Sequence, residues 1–249
     1  MDKVYELKRK IGILLGKHKD KIKKIEIVKK ILSYINLKNS LKQNKIVRKH
    51  GVEALTILYN ECKKEKVSLW LDFGTLLGWY RHKDFISFDV DLDLGAYSKE
   101  YDKFQKIKKR LEDQGFVYSR RFKYDEQVVE ESYSYKGLNV DIVYYEERKE
   151  MKKNVFSYLI VYAMDMNKNP KDIKGYYESN YIKNLRKTEF KGIEVMVPEN
   201  TEEYLSNYYG EDFMTPIPNF DWKSSGLYKE LEDSSKCKAR VYNGAETEK

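Results

Sequence analysis

Between residues 84 and 97 the chain reads DFISFDVDLDLGAY, and this alternation constrains the fold more than any other feature. Ile86, Phe88, Val90, Leu92 and Leu94 fall on one side of a period-two pattern, and Ser87, Asp89, Asp91 and Asp93 on the other. Period two predicts a strand with one face in a core. Alternate residues on one strand face stand roughly 6.5–7 Å apart. Three carboxylates at that spacing repel one another, and Asp is a poor strand former. A plain solvent-facing strand would carry Thr, Lys or Glu instead. A bound divalent cation accounts for the Asp.

The candidate ligands are hard oxygens, which favours Mg²⁺ or Mn²⁺ over softer metals. The three histidines (His18, His50, His82) are scattered, and Cys62 and Cys237 form no C-x-x-C. Both facts argue against a His- or Cys-based centre and against a disulfide scaffold, and fit a reducing cytoplasm. Upstream, DFGTLLG places Gly74 and Thr75 where a short β-type run, VSLWLDFG, turns into a helix. Free amides at a helix start bind phosphate, and glycine lets it approach closely. Downstream, LNVDIVYY holds Asp141 as the lone acid of an apolar strand. A buried unpaired charge there is costly, so an adjacent-strand position facing Asp91 and Asp93 is expected, as metal ligand, general base or both. Arg81 and Lys83 lie between the two halves and are expected near phosphate.

Residues 3–35 and 45–65 carry apolar positions at helical spacing, the first set broken near Gly16 to Asp20. SKEYDKFQKIKKRLEDQG reads as a helix capped by Ser98, with Gly115 past its end. FVYSRRF, QVVEESYSYKG, LNVDIVYYEE, VFSYLIVYAM and IEVMVP read as strands, and ENTEEYLSNYYG as a helix opening at Asn200 or Thr201. The fold class is therefore α+β, a mixed β-sheet core flanked by helices with an N-terminal helical extension. The divisions read as 1–65, a basic helical segment; 66–222, the catalytic domain; and 223–249, a polar tail expected to fray. The Tyr pairs at 133/135, 144/145 and 208/209 read mostly as strand and core residues.

The chain of 249 residues carries a net charge of +8. Residues 1–50 hold 16 Lys and Arg against 4 Asp and Glu, a net of +12, so the remainder is net −4. The basic segment reads first as a solvated helix face, and otherwise as a contact for an anionic inner membrane surface. No apolar run spans a bilayer and no secretory signal is visible, so a cytoplasmic location, peripheral at the inner membrane face, is expected.

The order Gly74-Thr75, Asp91-Leu92-Asp93-Leu94, then Asp141 resembles the nucleotidyltransferase (polymerase-β-like) superfold. More closely, DFGTLLGWYRHKDFISFDVDLDLG resembles the central motif of the LicD/fukutin family, D-x-G-T-L-L-G-x-x-R-x-x-x-F-I-P-W-D-x-D-h-D. VMVPENTEEYLSNYYGEDFMTP resembles its second hallmark, an apolar-Pro segment followed by E-Y-L and Y-G. Ser87-Phe88 replace the usual Pro-Trp, and Trp79 a small residue. The resemblance implies an Mg²⁺-dependent transferase that moves a phospho-alcohol, phosphocholine in the best-known case, from a CDP-linked donor to a cell-surface glycan. Such bacterial acceptors are capsule polysaccharide, teichoic acid and lipopolysaccharide. In this scheme Asp91 and Asp93 hold the metal with Asp89, Gly74, Thr75, Arg81 and Lys83 serve the donor phosphates, and Asp141 completes the site. The alternatives are nucleotidyl transfer to a small molecule and, ranked lower, a basic nucleic-acid-binding protein, which leaves the Asp triplet unexplained; no nucleic acid is expected as a partner.

Overall fold

The structure, a computed structural model, describes residues 26–124, 126–148, 155–161, 173–180, 182, 184–217, 220, 225, 227–230 and 237–241. Two compact units divide between Lys42 and Gln43, and the site lies wholly in the second, Gln43–Lys249. In order, the described elements are α1 (Glu26–Glu65), β1 (Leu69–Leu71), α2 (Phe73–His82), β2 (Asp91–Tyr97), a 3₁₀ turn (Ser98–Glu100), α3 (Tyr101–Asp113), β3 (Phe116–Tyr124), β4 (Gln127–Tyr135), β5 (Leu138–Arg148), β6 (Val155–Val161), β7 (Ile173–Asn180), β8 (Leu185–Phe190), β9 (Ile193–Pro198), α4 (Thr201–Tyr209), β10 (Tyr228–Glu230) and β11 (Cys237–Val241).

β5 is the hub of the sheet. It runs parallel to β2, with Asp93 beside Asp141, and antiparallel to β4, with Asp141 beside Ser132. β1 pairs with β2, and β3 with β4. The far end of β5, Glu146–Arg148, turns to β6, which continues to β7 and β10. β8 and β9 form a separate hairpin. Both the β4–β5 and β8–β9 turns are Lys-Gly pairs, Lys136-Gly137 and Lys191-Gly192, with positive φ at each residue. That is the backbone a two-residue hairpin with matching twist requires.

One sheet face is packed against α3. Leu92, Leu94, Val140 and Ile142 are fully or almost fully buried there, with Phe104, Ile107 and Leu111 of α3 at helical spacing. Glu131 lies in the same layer with no exposure. It accepts from Tyr118 Oη at 2.7 Å, Gln105 Nε2 at 3.0 Å and Tyr144 Oη at 3.0 Å, so the buried acid is satisfied by hydrogen bonds. Several of the tyrosines thus are core residues with a polar end.

The structure departs from the sequence reading at four places. Residues 26–65 form one helix, with no interruption before residue 45; the break expected at 16–20 lies outside the described residues. The acidic strand opens at Asp91, and residues 84–90 turn outside it, leaving Phe88 63% exposed. The cause is α1. Asn44 Nδ2 donates to the carbonyls of Ile86 (2.8 Å) and Asp89 (3.1 Å), and Arg48 to that of Phe85. Carbonyls a ladder would have used are thereby taken. Ser98 opens a 3₁₀ turn rather than capping α3, and its buried Oγ has no partner among the described residues. Within 223–249, β10 and β11 pair into the sheet; β11 lies on β3 and covers what would otherwise be an open edge. The strand expected over VFSYLIVYAM is described as far as Val161. No helix among the described residues is long and apolar enough to cross a membrane.

Candidate active site

The face of the sheet opposite α3 carries the acids. On β2, Leu92 and Leu94 take the core side, so Asp91 and Asp93 must take the other. Asp89, just before the strand, joins them: one carboxylate oxygen from each of the three lies within 4.8 Å of the others. The parallel register sets Asp141 beside Asp93. Across this cluster stands the start of α2. The Gly74 N–H donates to Asp93 Oδ2 at 3.3 Å. A Cβ at position 74 would lie 2.9 Å from Asp89 Oδ2, so any larger residue there must push that carboxylate aside. Asp89 Oδ2 itself is buried and has no hydrogen-bond partner among the described residues.

Such a cluster is electrostatically unfavourable. Burial raises Asp89 to about 7, against a hydrogen bond from the Val90 backbone. Burial also pushes Asp91 well above the carboxylate range, and the charges of Asp89 and Asp141 add to it. Asp93 is raised in the same way, by burial and then by Asp91, Asp89, Asp141 and Asp72. Low-dielectric surroundings and like charges each disfavour ionisation. A bound cation reverses both effects, and the partnerless Asp89 Oδ2 is the kind of atom a cation satisfies.

Asp72 anchors the other side. It is fully buried and caps α2, accepting from the Phe73 N–H at 2.9 Å. Tyr204 Oη of α4 donates to it at 2.8 Å and Tyr145 Oη of β5 at 2.5 Å. Its own N–H donates to the Asp93 carbonyl at 3.0 Å, and Thr75 Oγ1 accepts from the Asp93 N–H at 2.9 Å. Helix α2 is therefore fastened to the acidic strand at both its cap and its first turn.

Residues 66–200, more than half of the chain, match the family described as LicD/FKTN/FKRP, nucleotidyltransferase domain. The chain is a LicD/FKTN/FKRP protein. Its relatives include ribitol-5-phosphate transferase FKTN of Macaca fascicularis and of Homo sapiens, each 30% identical over 179 residues, which are 72% of this chain and 36% of theirs. The chain thus spans about a third of the length of those relatives. A solved structure, lincosamide antibiotic adenylyltransferase LnuA with lincomycin bound, overlays with a TM-score of 0.39 at 15% identity, covering 65% of this chain and 94% of that one. A likeness that loose carries no argument about mechanism. The nucleotidyltransferase-like α+β class follows from the family match together with the mixed sheet and its flanking helices.

In this LicD/FKTN/FKRP chain, Asp89, Asp91, Asp93 and Gly74 come together at one point, with Asp141 beside them. Asp141 also accepts from Arg120 Nη2 at 3.3 Å. Thr75 is fully buried, and its hydroxyl holds the strand. Arg81 and Lys83 each make contacts of their own. The Arg81 guanidinium donates to the carbonyls of Phe213 and Thr215 and so ties α2 to the chain after α4. Lys83 Nζ lies 3.8 Å from the Trp79 ring centroid. Trp79, the larger residue at a usually small position, donates from Nε1 to the Glu189 carbonyl at 3.0 Å and so bridges α2 to β8.

Three residues near the site escaped the sequence reading: Asp72, Arg120 and Glu130. Asp72 had a signal, an Asp immediately before a helix. Tyr209 belongs to the Y-G hallmark. Its phenol is raised well above its usual range by burial and by the fields of Asp93, Asp89 and Asp72, with Arg81 opposing, which places it in the field of the cluster. Glu130 is buried, and burial followed by the charge of Asp141 lifts it to about 8, against the pull of Arg120. Arg120 and Glu130 carried no periodic signal at all.

Proposed function

We propose that this protein is a divalent-cation-dependent transferase that moves a phospho-alcohol group from a CDP-linked donor to a hydroxyl of a cell-surface glycan. The observation that carries the reading is the Asp89–Asp91–Asp93 cluster, with its partnerless buried Asp89 Oδ2, facing the Gly74 amide. Asp91 and Asp93, with Asp89, would hold Mg²⁺ or Mn²⁺, and Asp141, beside Asp93 on β5, would complete the ligand set. The cation supplies charge to neutralise the donor diphosphate and the leaving nucleotide. The Gly74 amide at the start of α2 adds a dipole of the same sense. An acceptor hydroxyl attacks the phosphorus that bears the alcohol, the bond to the nucleoside monophosphate breaks, and Asp141 takes the hydroxyl proton.

The family supports phospho-alcohol transfer, and the relatives named as ribitol-5-phosphate transferases favour ribitol phosphate beside phosphocholine as the group moved. Capsule polysaccharide, teichoic acid and lipopolysaccharide are the acceptor classes, reached from the cytoplasmic face of an anionic inner membrane. The test is to incubate the protein and Mg²⁺ with CDP-ribitol, CDP-choline and CDP-glycerol, with and without acceptor glycan, and to detect CMP. CMP released by wild type and lost in Asp91→Asn is the expected result. Pyrophosphate released from a nucleoside triphosphate, without CMP, would establish nucleotidyl transfer instead.

A further inference from the structure

Arg120 stands where strand alternation does not put it. Tyr118, two residues earlier, sends its hydroxyl to Glu131 in the layer under α3. Strict alternation would send residue 120 the same way. Instead the pairing of β3 with β4 steps from Tyr118 opposite Tyr133 to Arg120 opposite Ser132, so Ser119 is the extra residue of a β-bulge. The Ser119 hydroxyl donates to the Ser132 carbonyl at 2.9 Å and holds the bulge in place. The bulge turns Arg120 onto the acidic face. There Nη2 donates to Glu130 Oε1 at 3.2 Å and to Asp141 Oδ1 at 3.3 Å, and Nε donates to Ser132 Oγ at 3.0 Å.

This is not the geometry of a closed structural ion pair. One nitrogen is shared between two acids, neither of them gripped by a two-pronged fork. Among the described residues Nη1 has no hydrogen-bond partner. The Phe122 ring supports the guanidinium at 4.9 Å, and the side chain keeps 25% exposure. A planar cation so held, with one edge unused and one of its acids beside the metal cluster, suits a diphosphate.

We propose that Arg120 is a substrate-binding residue for the diphosphate of the donor. Asp141, once engaged by the cation, needs Arg120 less, and the guanidinium then offers its Nη edge to phosphate while Glu130 and Ser132 keep it aimed. This rests on the metal-dependent reading of the site given above.

Two ligand classes separate the idea from a structural role. Full-length wild type, Arg120→Gln and Arg120→Lys are titrated with Mn²⁺ alone, followed by the electron spin resonance signal of free Mn²⁺. They are then titrated calorimetrically with CDP and with inorganic pyrophosphate in saturating Mn²⁺. A lost charged hydrogen bond corresponds to about tenfold or more in diphosphate affinity. Removing a cation from beside the metal site leaves Mn²⁺ affinity equal or raises it by roughly severalfold. The expected result is therefore opposite movement in Arg120→Gln: weaker diphosphate, equal or tighter Mn²⁺. Arg120→Lys, which guards against a misfolded Gln variant, keeps wild-type Mn²⁺ affinity and loses part of the diphosphate affinity. Parallel loss of both ligands in folded variants, or unchanged diphosphate affinity, overturns the proposal alone. Wild type that binds no Mn²⁺, or whose Asp91→Asn Asp93→Asn double variant binds it equally well, overturns the metal-dependent reading itself and this proposal with it.

Discussion

The hydroxyl of Tyr204 donates to Oδ1 of Asp72 at 2.8 Å across 132 positions of chain, joining the first acid of DFGTLLG to the tyrosine of E-Y-L. Two sequence hallmarks far apart in the chain are one contact in the fold. Tyr204→Phe leaves a buried carboxylate with one donor fewer, which typically costs about 1–3 kcal/mol. Urea denaturation should show that loss. Because Asp72 also caps α2, Asp72→Ala should lose more than Tyr204→Phe.

The three-Asp cluster predicts a trade between stability and activity. In metal-free protein, Asp91→Asn or Asp93→Asn removes a buried like charge and should stabilise the fold by roughly 1 kcal/mol or more. The same change should abolish the rise in Tm that Mg²⁺ gives to wild type. Differential scanning calorimetry with and without Mg²⁺ reads both effects; a variant less stable than wild type without metal contradicts the first.

At position 74 a methyl group would meet Asp89 Oδ2 at 2.9 Å and Oδ1 at 3.0 Å. Gly74→Ala should therefore displace the Asp89 carboxylate and weaken Mn²⁺ binding by about an order of magnitude, an estimate taken from one ligand pushed out of place. Far-ultraviolet circular dichroism should stay unchanged. Wild-type Mn²⁺ affinity in this variant would remove Asp89 from the ligand set.

Away from the site, Glu61 joins α1 to α3. Lys64 Nζ donates to it at 2.7 Å, Arg110 Nε at 2.7 Å and Gln114 Nε2 at 3.0 Å. Lys64 first, then Arg110 and Gln114, hold its carboxyl down to about 2 against the cost of burial. A depressed native value means the stabilisation is complete above the ordinary value of 4.5 and fades as pH falls toward 2. Glu61→Gln should lose roughly 2 kcal/mol at neutral pH, and the gap from wild type should close between about pH 4.5 and pH 2. Chemical denaturation across that range checks the sign.

Much of the site is written in local pattern. Asp91 and Asp93 against Leu92 and Leu94, the glycine at a strand–helix turn, and Asp141 alone in an apolar strand are each visible within a few residues. Where the reading missed, the cause lay elsewhere in the chain. Phe88 continues the alternation but leaves the strand because Asn44 and Arg48 of α1 take the carbonyls of Phe85, Ile86 and Asp89. Arg81 and Lys83 stand beside the motif, and only the fold shows what they touch: the carbonyls of Phe213 and Thr215 and the ring of Trp79.

The sequence by itself determined the chemistry of the donors: hard oxygens at period two on a strand whose other face must be buried. Side-chain alternation is a property of the local backbone, so it can be read in place. The tertiary structure alone decided which cation faces those acids. Arg120 reaches Asp141 beside them only because a bulge at Ser119 reverses its face, and a bulge exists only in the pairing of two strands.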